Sequence, residues 1–192
     1  MKKKIAGING FGRFTLHFLK YWLSKNSNSD FNINYINDET LDINRCYDII
    51  TNDNYVKFDE FKILKSNDKI TFLDSKGVSF DILFTNDLIE NLSWLGEPEL
   101  FLECSGRYNS KKDCDNFANG STKLVIISAT AWDADQTLVY GFNHYKFNQS
   151  SRVISYGSCT VNAFVPLFAL PSSVRSATLT ICEYELFSPA VQ

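Results

Sequence analysis

The sequence predicts an α/β fold with a doubly wound, mostly parallel sheet, and three observations predict it. Residues 4–8 form a short apolar run that stops at a glycine turn, gives way to a helical repeat, and leads to a second apolar run closing on Asn37-Asp38. Further on, apolar runs at 100–104, 124–127 and 152–155 are separated by helical or loop segments, the spacing that parallel strands need for their crossovers. Between these halves, from 58 to 84, the pattern changes to two-residue alternation with turns at Asn67-Asp68 and at 74–77. That predicts an antiparallel meander inserted in the sheet.

The first helix follows Gly12 and carries Phe14, Phe18, Tyr21 and Trp22 on one face, with Leu16, Leu19 and Leu23 beside it. A helix apolar nearly all round is buried on more than one side or meets another subunit. A second strand at 31–36 ends on Asn37-Asp38, a helix is predicted over 41–51, and Ser110 caps a helix over 111–119 that Gly120 stops. Another short strand is expected at 138–141. After Cys159 a helix is predicted over 161–170, ended by Pro171, and the alternation of 177–186 predicts a strand with no partner in the sequence, an edge that needs cover.

Composition narrows the function. The chain has 192 residues, 44% apolar and 21% charged, enough for one sizeable domain or a domain plus part of another. Net charge is −3 and Lys2-Lys3-Lys4 is the one concentrated basic run, which argues against nucleic acid as a partner. The apolar stretch after that run is too short for a signal peptide or a membrane span, so a soluble cytoplasmic protein is expected. Five cysteines (46, 104, 114, 159, 182) without a C-x-x-C pair argue against a disulfide framework and a zinc site, and His17 and His144 are too few for metal chemistry. His144 reads as structural, and His17 as a packed core or interface residue.

Strand, glycine turn, helix, strand and acid, in that order, form the pattern of a Rossmann-type dinucleotide-binding unit. Gly10 allows the tight turn, and Gly12 lets backbone amides approach a pyrophosphate at the helix N-terminus. Asp38 is placed to accept from a ribose 2′-OH, which favours NAD over a 2′-phosphorylated cofactor. The third glycine position holds Thr15, which predicts looser helix–strand contact. Ser105 and Gly106 follow a buried strand, where they either touch a cofactor or form an ordinary turn. Cys159 sits where a strand hands over to a helix, and unpaired amides there favour a thiolate. A cysteine in that setting is a nucleophile or a small buried residue.

Taken together, the ordered motifs resemble phosphorylating glyceraldehyde-3-phosphate dehydrogenase. They are Ile8-Asn9-Gly10-Phe11-Gly12-Arg13, Ile36-Asn37-Asp38, Glu103-Cys104-Ser105-Gly106, Val125-Ile126-Ile127-Ser128-Ala129, Tyr140-Gly141-Phe142-Asn143-His144 and Ser158-Cys159-Thr160-Val161-Asn162. The resemblance covers about residues 4–170. It implies an NAD-binding domain over 1–157, the truncated start of a catalytic domain over 158–192, a place in glycolysis, and an oligomer, as a homo-oligomer or with a second chain completing the catalytic domain. It implies Cys159 as the nucleophile adding to an aldehyde phosphate, with Ser158 and Thr160 binding phosphate. It also implies Asn9, Gly10, Gly12, Arg13, Phe14, Asp38, Ser105, Gly106 and Ser128 around NAD. Glyceraldehyde 3-phosphate and erythrose 4-phosphate are the substrates it implies. The chain departs from the family at Thr15-Leu16, at Val161, and in having no histidine after Cys159. Cys182, Glu183, Tyr184 and Glu185 stand where that histidine would be expected, and Glu183 or Glu185 as a base toward water is one reading. A non-catalytic NAD-binding protein, serving assembly or redox sensing, is the alternative.

Overall fold

The computed structural model describes residues 2–25 and 28–168. β1 (Lys4–Asn9) is buried from Ala6 onward because it is central: β2 (Phe31–Asn37) lies on one side and β6 (Leu100–Glu103) on the other, both parallel to it. Buried on both faces, such a strand cannot alternate polar and apolar residues. The full sheet has nine strands in the order β3-β4-β5-β2-β1-β6-β7-β9-β8, with β3 (Phe61–Lys65), β4 (Lys69–Asp74), β5 (Ser79–Thr85), β7 (Leu124–Ile127), β8 (Gln136–Thr137) and β9 (Val153–Ser155). β3, β4 and β5 pair antiparallel, which is the expected meander, and β5 joins the parallel core by pairing with β2.

Ala6 and Ile8 of β1 face a core built from α1 (Arg13–Lys25), α2 (Ile43–Asn52) and the meander. The alternate residue, Gly7, faces Trp94, which belongs to a second core with Phe101, Phe117, Val125 and Val153. A Cβ on Gly7 would lie 2.5 Å from the Trp94 ring, so the glycine is fixed by a close approach. α1 buries Thr15, Leu16, Leu19, Trp22 and Leu23. On its aromatic side Trp22 is buried and Phe18 packs, partly buried, against the core. Phe14 and Tyr21 are exposed, Phe14 stacks on Phe18, and His17 is exposed beside them rather than in the core.

Two elements differ from expectation. The strand expected at 138–141 is β8 two residues earlier; the Leu138 amide still donates to the Ser155 carbonyl at 2.9 Å, but the chain then turns. The Asn143 side chain accepts from the Val139 amide at 2.6 Å and His144 Nδ1 from Gly141 at 3.0 Å, so side-chain acceptors replace the ladder there. The helix expected at 111–119 is α3 (Lys111–Cys114) continued by a tighter turn over Asp115–Phe117, with Ser110 capping it as expected. α4 (Cys159–Phe168) starts at the cysteine, two residues before the expected 161, and includes Pro166. The helix end at 169–171 and the strand at 177–186, with Cys182, Glu183, Tyr184 and Glu185, lie outside the described residues. Among the described residues no helix is long and apolar enough to cross a membrane.

Candidate functional site

Strand register brings the polar ends of the parallel strands into one row. Asn9 is opposite Asn37 and Glu103, Glu103 is opposite Ile127, and Ile127 is opposite Ser155. Every sequence-predicted site residue lies within a few residues of this row, at the C-terminal edge where parallel sheets bind their ligands.

The glycine turn is held from three sides. The Gly10 amide donates to the Asn37 carbonyl and the Cys104 amide to the Asn9 carbonyl, both at 2.7 Å, and the Thr15 hydroxyl donates to the Gly10 carbonyl at 2.6 Å. Gly10 has φ +99°, and a Cβ there would lie 2.4 Å from the Ser105 nitrogen, so two loops meet through it. Thr15 is fully buried, and its hydroxyl ties helix to turn; the looser contact expected of a missing third glycine is therefore replaced by a hydrogen bond. Gly12 is different. A Cβ on it would meet nothing within 4 Å, and α1 has no acid in its first turn, which leaves open space before the helix N-terminus.

Asp38 closes over this turn. Its Oδ2 accepts from the Phe11 amide at 2.7 Å; its Oδ1 accepts from the Thr40 amide and hydroxyl and from the Leu41 amide. Burial works against the charge, but these hydrogen bonds outweigh it and hold the carboxyl below its usual range. Oδ2, with one donor, retains acceptor capacity for a ligand hydroxyl.

Asn9 and Glu103 sit beneath. Asn9 is fully enclosed, accepting from Asn37 at 2.9 Å and donating to Glu103 at 2.8 Å, so it braces the turn from inside. Glu103, 1% exposed, also accepts from the Ser105 amide at 2.7 Å and from the Ser105 hydroxyl. Gly106, with φ +75° and nothing within 4 Å of a Cβ, follows at the open surface. Ser128 donates its amide to the Glu103 carbonyl and hydrogen-bonds the half-buried Cys104 thiol, which desolvation pushes up to about 12. Arg13 pairs with Asp53 at 2.5 Å and lines a cleft of about 710 Å³ between α1 and α2, together with Arg45 and Tyr55. That cleft reaches the turn only through Phe11 and Gly12 and includes neither Asp38 nor Ser105, so it is not the crevice the row of strand ends defines. Phe14 is exposed on α1 and stacks on Phe18.

Cys159 is exposed at the first turn of α4, three strands along the row from β1. Gly157, with φ +75°, turns the chain, and the Ser158 hydroxyl caps α4 by accepting from the Val161 amide at 3.1 Å, keeping its own proton to donate. Thr160 is exposed beside it. The Asn162 amide ties the segment down by donating to the Tyr156 and Ser158 carbonyls. Among the described residues no cluster of three or more His, Cys, Asp or Glu could hold a metal.

No protein-family model matches the chain. It is 31% identical over 168 residues to glyceraldehyde-3-phosphate dehydrogenase 2 of Trichormus variabilis and 30% identical over 168 residues to the protein of the same name from Nostoc sp.. It is 31% identical over 167 residues to glyceraldehyde-3-phosphate dehydrogenase 1 of Bacillus cereus. The chain is related to the glyceraldehyde-3-phosphate dehydrogenases. These alignments cover 83–84% of the chain and 46–47% of each relative, so it spans about half the length of the dehydrogenases it matches.

Sequence reading missed Asn37, Glu39, Glu103 and Arg107. The signal was present for three of them: Asn37 and Glu103 are polar residues ending apolar strands, and Glu39 doubles an acid at a strand end. Their burial depends on register between strands far apart in sequence.

Proposed function

We propose that the chain binds an NAD-type dinucleotide along this edge and serves an NAD-dependent, phosphorylating aldehyde dehydrogenase whose nucleophile is Cys159. The observation that carries the reading is that the glycine turn, Asp38 and Cys159 share one edge of one parallel sheet, with open space at Gly12 before the α1 N-terminus. The adenosine ribose would rest on Asp38 Oδ2 and the pyrophosphate on the amides around Gly12, with Ser105 and Gly106 as the facing wall. When bound, the cofactor supplies the hydride acceptor.

The chain's own residues define the rest. The Cys159 sulfur attacks an aldehyde carbonyl, forming a C–S bond, while amides of the first α4 turn face the oxygen that gains charge. Loss of hydride leaves a thioester on the sulfur, and phosphate held by the Ser158 and Thr160 hydroxyls cleaves it, releasing the thiolate. An aldehyde phosphate is the substrate class, and a homo-oligomer is the assembly this reading carries. A non-catalytic dinucleotide-binding subunit is the second reading. It is favoured by the placement of the two histidines, His17 exposed on α1 and His144 bound to the Gly141 amide.

Calorimetric titration with NAD tests the binding. Gly12→Ala should change stability by no more than about 1 kcal/mol, because its Cβ meets no protein atom. The same substitution should cut NAD affinity at least tenfold. No heat from the unsubstituted protein at millimolar NAD sinks the proposal.

A further inference from the structure

We infer that Glu39 is a positioning residue for the adenosine end of the crevice; this rests on the dinucleotide reading above. The loop 105–108, which forms the wall opposite Asp38, is held at both ends by buried carboxylates from different strands. Glu103, ending β6, takes the Ser105 amide and hydroxyl. Glu39, just past β2, takes the other end: its Oε1 accepts from the Tyr108 hydroxyl at 2.9 Å and from the Ile89 amide at 3.4 Å, and its Oε2 accepts from Arg107. The Glu39 side chain is 5% exposed, whereas Arg107 is 54% exposed. β2 and β6 flank β1 on opposite sides, so the Glu39 contacts reach across the end of β1 from one wall of the crevice to the other.

A turn whose only duty was to connect β6 to α3 would not need two enclosed carboxylates, since each is costly to bury unless fully hydrogen-bonded. Here each is. The Tyr108 hydroxyl stays a donor, because burial and the Glu39 charge push it up to about 12. The Arg107 guanidinium gives one nitrogen to Glu39, and its other nitrogens carry no side-chain or backbone partner among the described residues. The brace therefore fixes the distance between Asp38 and Gly106 before any ligand arrives, which is how preorganisation raises affinity. The Glu39 carboxylate is enclosed and takes three donors, so leaving it unpaired is costly and the contact acts as a brace and not as a latch that must open.

The test uses the full chain with ADP-ribose as the adenosine-side probe and nicotinamide mononucleotide as the control. Glu39→Gln keeps an acceptor for Tyr108 but loses the charge that holds Arg107. It should weaken ADP-ribose binding roughly tenfold while leaving the mononucleotide within twofold. Arg107→Met should weaken ADP-ribose similarly, and adding it to Glu39→Gln should cause little further loss, because the two act as one unit. Amide exchange without ligand should quicken across 105–108 in Glu39→Gln. If the unsubstituted chain binds ADP-ribose and Glu39→Gln binds it equally well, the brace is wrong and the dinucleotide reading stands. Equal loss for both probes would mark a general structural defect and also overturn the brace. If the unsubstituted chain binds no ADP-ribose, both fail.

Discussion

Two carboxylates a few ångströms from the same turn titrate in opposite senses, and the difference is one of partners. Asp38 collects four donors, so its folded form holds the charge. For Glu103 burial dominates; the hydrogen bonds from Ser105 and Asn9 pull its proton affinity down without offsetting burial, and the nearby Glu39 charge adds to the rise. A carboxyl raised in the folded state stabilises the fold fully below its unfolded range and loses that contribution as pH climbs through its folded value. Relative to Glu103→Gln, the unsubstituted protein should therefore lose stability as pH rises from about 4.5, with a slope of up to about 1.4 kcal/mol per pH unit until Glu103 ionises. Urea midpoints of the two proteins across that range measure it. A stability difference that stays level with pH would show that the carboxylate is not linked to folding.

At the level of elements, the contact between α1 and β1 tests how motif chemistry translates into packing. Restoring a glycine at position 15 would satisfy the usual dinucleotide pattern, yet it removes the hydroxyl that donates to the Gly10 carbonyl and a fully buried side chain. Thr15→Val, which keeps the shape, should cost about 1–2 kcal/mol through the unpaired carbonyl. Thr15→Gly should cost more, about 2–3 kcal/mol, by adding a void and a flexible helical residue. Chemical denaturation decides the order, and a glycine variant at least as stable as the parent would refute it. The sequence made legible the elements whose period is local: the β1–turn–α1–β2 unit, the meander between 58 and 84, and the start of α4 to within two residues. It left out what depends on the partner strand. Outward Phe14 and inward Thr15 are adjacent in sequence, and only the packing of α1 on the sheet separates them. The strand expected at 138–141 carries the right residue types, but Asn143 and His144 supply the acceptors that end the ladder sooner. Asn9, Asn37, Glu103 and Glu39 are unremarkable as single letters; register makes them a network.

Across the whole molecule, the question is whether the turn at Gly12 and the sulfur at Cys159 serve one ligand. β9, which delivers Cys159, lies three positions from β1 in the sheet, on the order of 14 Å at about 4.8 Å per strand. Only a ligand extended along the strand ends can touch both. Cys159 is exposed whereas Cys46 and Cys114 are buried and Cys104 is half-buried with its thiol pushed up to about 12, so alkylation at 159 can be followed by peptide mass spectrometry apart from those three. Saturating NAD should slow iodoacetamide modification of Cys159 by roughly fivefold or more, because the occupied site shields the sulfur in proportion to its population. ADP-ribose, which lacks the nicotinamide, should bind the same turn and leave the rate within about twofold. Equal protection by the two would place the ligand's reach elsewhere, and no protection by NAD at saturation would separate the turn from the cysteine. The comparison asks of the sheet what its register implies: that residues brought to one edge by parallel pairing are spaced for a single extended molecule.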